Sequence, residues 1–261
     1  MNYVTSKDGT RIAFEQSGSG PALILVDGAL CSRAFGPMPK LAPLLAPHFT
    51  VFTYDRRGRN ESGDGKAYAK EREVEDLDAL IQAAGGSAHL VGLSSGAALA
   101  LEAAASGLNV TKVAAYEPPY IAEGGVQAPP DHEGTLKALI AAGRRGDAVK
   151  YFMRDMVGVP GIFVFLMRWM PGVWTKMKAV AHTLPYDAAV MSRFLVPTER
   201  LATIKTPTVV LHGGKTDPRL QKAAQAVAAA VPAAQHRTLE GQTHNVDPKV
   251  LTPALVEFLG P

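Results

Sequence analysis

The sequence predicts an α/β domain: a mostly parallel sheet with helices on both faces and a helical insertion. Three observations carry this. Short continuous apolar runs such as Ala22-Leu23-Ile24-Leu25-Val26 read as strands buried on both faces. Helix-period segments alternate with such runs at both ends of the chain. Residues 118–197 break the alternation with helix-like stretches rich in Pro, Gly, Met and aromatic side chains.

The elements follow in order. Residues 1–6 and 11–16 form a hairpin around Lys7-Asp8-Gly9-Thr10, because Asp-Gly is a favoured turn pair. Ser17-Gly18-Ser19-Gly20-Pro21 breaks the chain before the strand at 22–26, and 49–54 is a further strand. Over 69–84, Val74, Leu77, Leu80, Ile81 and Ala84 share one helical face, and Gly85-Gly86 stops the helix. A strand at 88–93, a small-residue helix at 95–106 and a strand at 110–116 follow, closed by Pro118-Pro119. The rhythm returns with a strand at 208–212, a helix at 220–231, a strand at 235–239 and a helix at 248–259. The expected organisation is a core of residues 1–117 and 198–261 with a helical cap at 118–197.

Composition narrows the class. With 261 residues, 47% of them hydrophobic, the chain can bury a substantial core. The net charge of +3 is spread over 27 basic and 24 acidic residues, with no basic run long enough for a nucleic-acid groove. Arg56-Arg57 and Arg144-Arg145 read as solvated faces. The single cysteine, Cys31, excludes an internal disulfide and a multi-cysteine metal site. With a polar N-terminus that lacks a signal-peptide pattern, it points to the cytoplasm. The most apolar stretch, 157–170, is broken by Gly158, Pro160, Gly161 and Arg168 and is too short to span a bilayer. Monomer and homodimer both remain open.

One motif carries chemistry. Gly92-Leu93-Ser94-Ser95-Gly96 follows the strand at 88–93 and opens a helix, which is the setting of a nucleophile elbow. A serine at a sharp strand-to-helix turn is lifted above the sheet, and the crowded turn admits only glycine at Gly92 and Gly96. The following N–H, that of Ser95, sits at a helix N-terminus aimed at developing negative charge. The bland alternative is that Ser94 merely caps the helix. Ser95 is a rival nucleophile, but the glycine spacing selects Ser94. A serine hydroxyl needs a base, and the base an orienting acid. His244 lies just past the last strand. Asp217 lies just past the strand at 208–212, and Glu117 ends the strand at 110–116, so either acid could serve. Of the other histidines (His48, His89, His132, His182, His212 and His236), His182 and His212 could touch the pocket. Asp247, beside Pro248, reads as a helix N-cap.

Val26-Asp27-Gly28-Ala29-Leu30, Tyr54-Asp55-Arg56-Arg57-Gly58, Glu117-Pro118-Pro119 and Gly241-Gln242-Thr243-His244 join the elbow in a resemblance to the α/β-hydrolase superfamily. Within it the chain resembles the small bacterial esterases, lactonases and haloperoxidase-like enzymes, over nearly its whole length. The resemblance implies a triad in the chain order Ser94, Asp217, His244, with Asp217 preferred to Glu117 because its loop matches the usual acid loop. It implies oxyanion donors from the backbone N–H groups of Ala29 and Ser95, and no metal or other cofactor. Two departures stand out: Asp27 replaces the usual His before Gly28, and Asn60 or Glu61 stands where the family has glycine. Asp55 to Ser62 reads as a structural turn.

The cap's Met and aromatic residues make an adaptable apolar lining. The pocket candidates are Asp27, Leu30, Met153, Phe163, Trp169 and Trp174. The expected reaction is hydrolysis of a small hydrophobic ester or lactone through an acyl-enzyme. The alternatives are perhydrolysis, C–C bond hydrolysis or thioester cleavage by the same triad, and a non-catalytic binding protein. Dehalogenase and epoxide hydrolase chemistry is disfavoured, since those relatives place Asp at the Ser94 position.

Overall fold

The computed structural model describes residues 1–65, 67–121, 130–170 and 172–260. Eight strands form one sheet: β1 (Asn2–Thr5), β2 (Arg11–Ser17), β3 (Ala22–Val26), β4 (Thr50–Tyr54), β5 (Ala88–Leu93), β6 (Val110–Tyr116), β7 (Thr208–Gly213) and β8 (Gln235–Leu239). Their spatial order is β1-β2-β4-β3-β5-β6-β7-β8. The hairpin β1–β2 joins β4 antiparallel, and every later pairing is parallel. This is the mostly parallel α/β sheet that the strand–helix alternation predicts, and it agrees with the fold that the resemblance to the α/β-hydrolase superfamily implies.

The helices are α1 (Met38–Leu45), α2 (Lys70–Ala83), α3 (Ser95–Ala105), α4 (His132–Ala141), α5 (Arg145–Tyr151), α6 (Gly161–Met167), α7 (Val173–Val180), α8 (Leu184–Val190), α9 (Thr198–Leu201), α10 (Pro218–Ala230) and α11 (Pro248–Leu259). Two-residue periodicity divides the core. Ile24 and Val26 of β3 join α2, α3 and α10 in one buried cluster. Leu23 and Leu25 join α1 and α11 in the other. β5 is buried along its whole length, as a central parallel strand must be. Between β6 and β7 the helices α4, α5, α7 and α8 form a third cluster, into which Leu30 also packs.

Residues 38–45 are assigned no element from the sequence. The structure forms α1 there. Pro39 sits in the first turn, where its missing N–H has no partner to lose. α10 starts at Pro218 rather than 220, since Asp217 caps it through an Oδ1 that accepts the Arg219 N–H.

Candidate active site

The loops after β3, β5, β6, β7 and β8 all leave the same edge of the sheet, where parallel topology gathers chemistry. Ser94 follows β5 with φ 57° and ψ −125°, a conformation costing a non-glycine residue about 1–3 kcal/mol. The flanking glycines are enforced by contact. A Cβ on Gly92 would strike the backbone of Gly96 and Ala97, and one on Gly96 would strike the carbonyls of Val26 and Asp27. Gly28 is tight though not blocked: a Cβ there would lie 3.1 Å from the Leu93 carbonyl oxygen and 3.2 Å from the Ser94 Cβ. The loop after β3 thus packs directly on the elbow.

His244 stands in the loop between β8 and α11. Tyr116 donates its hydroxyl to the Thr243 carbonyl at 2.5 Å, and the Lys215 N–H donates to the Gln242 carbonyl at 2.8 Å, fixing that loop to β6 and to the loop after β7. The imidazole Nδ1 lies 2.6 Å from Glu117 Oε2. Glu117 is fully buried, and its left-handed φ of 47° swings the carboxylate off the end of β6. It accepts two further bonds, from the Gly213 N–H at 2.8 Å and the Thr216 hydroxyl at 3.1 Å. A carboxylate held by three partners orients an imidazole: Nδ1–H donates to it, and Nε2 keeps its lone pair.

Here the sequence expectation is corrected. Asp217 is exposed and turns to its own helix, capping α10 and pairing with Arg219 at 2.7 Å. That pairing is the first cause holding its carboxyl below the ordinary range. The residue against His244 is Glu117.

Ser94 and His244 line one cavity of about 290 Å³. Its walls are mainly apolar: Phe152, Met156 and Val157 from a π-helical turn and the residue after it, Met191 and Phe194 beyond α8, and Leu220 of α10. Lys215, Asp217 and Arg219 also line the cavity. The Ser94 hydroxyl makes no hydrogen bond among the described residues, which suits a nucleophile whose bond to its base tightens when substrate binds.

A family model described as the alpha/beta hydrolase family matches residues 19–252. The chain belongs to the alpha/beta hydrolase family. Among solved structures, an alpha/beta hydrolase from Sphaerobacter thermophilus is 54% identical, with 99% of this chain and 100% of that chain covered and a TM-score of 0.91. An enol-lactonase from Burkholderia xenovorans shares the fold at 18% identity, TM-score 0.75, with both chains covered completely. A bromoperoxidase from Bacillus anthracis shares it at 20% identity, with the same TM-score of 0.75 and the same coverage. No curated protein matches the chain.

The hydrolase braces its site with a charge network that sequence reading missed. Arg56 and Arg57 are not solvated; both are 1% exposed. Asp187 of α8 accepts Arg56 Nη1 at 2.7 Å, Arg59 Nη2 at 2.9 Å and the Ser95 hydroxyl at 2.8 Å. Arg59 Nη1 donates to the Gly28 carbonyl at 2.7 Å and the Cys31 carbonyl at 3.0 Å, while Arg56 donates to the Asp27 carbonyl at 3.1 Å. Burial would raise the Asp187 carboxyl, but Arg59 and Arg56 outweigh it and hold it below the usual range. Glu73 balances Arg56 at 2.7 Å. One buried carboxylate thereby ties the elbow, the loop after β3 and α8 together. Asn60 adopts a left-handed φ of 41°, a conformation that glycine takes freely and asparagine tolerates better than most residues.

The pocket candidates fare unevenly. Asp27 does not line the cavity. It is 2% exposed, with Oδ1 unpartnered and facing Gly36 and Cys31. Leu30 packs in the cluster of the insertion, and Met153 lies partly buried against it. Phe163 and Trp169 are 58% and 75% exposed, and Trp174 lines a separate surface hollow. Composition marks apolar side chains but not which way they turn. Neither His182 nor His212 reaches the cavity; His212 stacks on His236 within the sheet.

Burial pushes the Asp27 carboxyl well above its ordinary value, against the attraction of Arg59 and Arg56. A carboxyl whose pKa rises on folding binds its proton more tightly in the native state. Its contribution is therefore complete below the unfolded pKa and is lost as pH climbs toward the folded one. Asp27→Asn, neutral and of the same shape, is expected to remove that loss. Melting curves from pH 5 to 8 should show the variant's Tm gaining on wild type as pH rises. A constant difference would mean that Asp27 is charged in the native state.

Proposed function

We propose that this hydrolase cleaves small, mainly apolar carboxylic esters or lactones through an acyl-enzyme on Ser94, with His244 as base and Glu117 as its orienting acid. The observation that carries the reading is the 2.6 Å contact between His244 and buried Glu117, beside a strained serine on the same cavity wall. Ser94 Oγ attacks the carbonyl carbon as His244 Nε2 takes its proton. Glu117 stabilises the imidazolium that forms. The oxyanion rests between the N–H groups of Ser95 and Ala29, each such donor contributing about 2.7–4 kcal/mol to the transition state. The imidazolium then protonates the leaving alkoxide, and water repeats the sequence in reverse to free the acid.

A cavity of about 290 Å³ with apolar walls supports a small acyl group rather than a long chain. We read residues 118–197, of which 122–129 and 171 lie outside the described residues, as a cap over the core. Cys31 is a free thiol, in keeping with the cytoplasmic location expected from the sequence. Perhydrolysis, C–C bond and thioester hydrolysis draw their case from an acid in the oxyanion loop, and buried Asp27 lends them none.

A fluorophosphonate probe tests the reading, paired with p-nitrophenyl esters of rising acyl length. One label is expected, on Ser94 and absent from Ser94→Ala, with acetate and butyrate esters turned over faster than octanoate. A folded protein that neither labels nor hydrolyses any of them would return the chain to the binding-protein reading.

A further inference from the structure

Among the described residues ten large apolar side chains are exposed, and seven of them lie between 157 and 170. Ile162, Phe163, Phe165 and Leu166 of α6, with Trp169 and Met170 just beyond it, are each 51% to 75% exposed. Only Val164 of that helix is buried. Scattered apolar side chains need no explanation, but a contiguous patch of this kind marks a surface that meets something.

A basic hollow of about 610 Å³ adjoins the patch. Arg144, Arg145, Lys150, Arg168 and Lys178 line it against one carboxylate, Asp147. Asp147 engages Arg144 at 2.8 Å and Lys150 at 3.5 Å. Arg168 and Lys178 have no carboxylate partner among the described residues. Arg168 joins the two features, following α6 directly and standing over the ring of Trp174 in the hollow at 5.9 Å.

We propose that this face docks on an anionic lipid surface, with α6 lying flat at the acyl boundary and the hollow against phosphate headgroups. Charge selects the occupant. An apolar short helix flanked by cations is what an interfacial segment needs, and each basic side chain near an anionic leaflet strengthens attachment about fivefold. A second copy meeting this face about a twofold axis would bring the same uncompensated hollow toward itself. α6 is too short to cross a membrane, and no described helix is long and apolar enough to do so. Val157 belongs both to the exposed patch and to the wall of the catalytic cavity, so docking sets the cavity mouth near the lipid. The proposal stands apart from the assignment of Ser94, since its test reads binding and not turnover.

The chain has two tryptophans, Trp169 and Trp174. Trp174→Phe leaves Trp169 as the sole emitter and vesicles as the probe. With phosphatidylglycerol–phosphatidylcholine vesicles, the protein is expected to co-sediment, its emission to shift to the blue, and brominated acyl chains to quench it. Arg168→Gln with Lys178→Gln should weaken partitioning about 25-fold. Phe163→Ser with Leu166→Ser should abolish it while leaving the melting temperature unchanged, since both side chains already face water. No co-sedimentation, or co-sedimentation with Trp169 emission unmoved, overturns the proposal. A dimer in sedimentation velocity that the serine pair dissociates also overturns it, giving the face to a second copy.

Discussion

Glu117→Gln is expected to lower kcat by about 10⁴-fold with p-nitrophenyl acetate, while Asp217→Asn changes it less than fivefold. Glutamine fills the same volume: its Oε1 can still accept the Gly213 N–H, and its NH2 can donate to the Thr216 hydroxyl oxygen, so the fold should survive. What it lacks is the charge facing His244 Nδ1. Without it the ring no longer prefers the tautomer that leaves Nε2 free for the Ser94 proton. The imidazolium formed during attack also has no buried counter-charge. Asparagine at 217 caps α10 nearly as well as aspartate, and the Arg219 pair it removes is exposed and contributes little. The two variants together decide the acid, and the opposite ranking would restore Asp217 and remove Glu117 from the proposed triad.

That Glu117, the alternative acid, and not Asp217 faces His244 has a physical cause. Glu117 and Asp217 follow neighbouring parallel strands, and sequence spacing cannot say which carboxylate turns toward the last loop. A usable signal was present, though. Asp217-Pro218 opens a helix in the same way as Asp247-Pro248, where the cap reading was rightly preferred, and both aspartates accept the N–H two residues on. The strands and the elbow were legible because their causes are local: alternation, continuous apolar runs, and glycines forced by a tight turn. Arg56 and Arg59 were not, because their partner Asp187 lies 131 and 128 residues away. Out of that context an arginine-rich turn looks like a solvated surface. Phe163 and Trp169 failed in the opposite sense: α6 is too short for its periodicity to tell an inward from an outward face, and Trp169 lies in the turn just beyond it, where no periodicity applies.

Asp187→Asn is expected to cost about 3–5 kcal/mol of stability, the usual penalty for leaving a buried charge without its partner. For a chain of this size that lowers Tm by roughly 5–10 °C, measurable by calorimetry. Arg59 loses the one carboxylate it pairs with among the described residues, while Arg56 keeps Glu73. The effect should reach the chemistry as well. Asp187 holds the Ser95 side chain directly, and through Arg59 it holds the carbonyl of Gly28, which belongs to the same peptide unit as the proposed Ala29 donor. A few tenths of an ångström of slack at two donors aimed at one oxygen penalises the transition state more than the bound ester. kcat should therefore fall about 10- to 100-fold with KM nearly unchanged, and affinity for a boronic acid analogue should fall in step. Arg59→Lys separates the two consequences. It keeps a positive charge beside Asp187 but cannot span Asp187, Gly28 and Cys31 at once, so it should spare most of the stability while still lowering kcat. If kcat instead follows only the folded fraction in both variants, the network holds the fold and does not tune the oxyanion site.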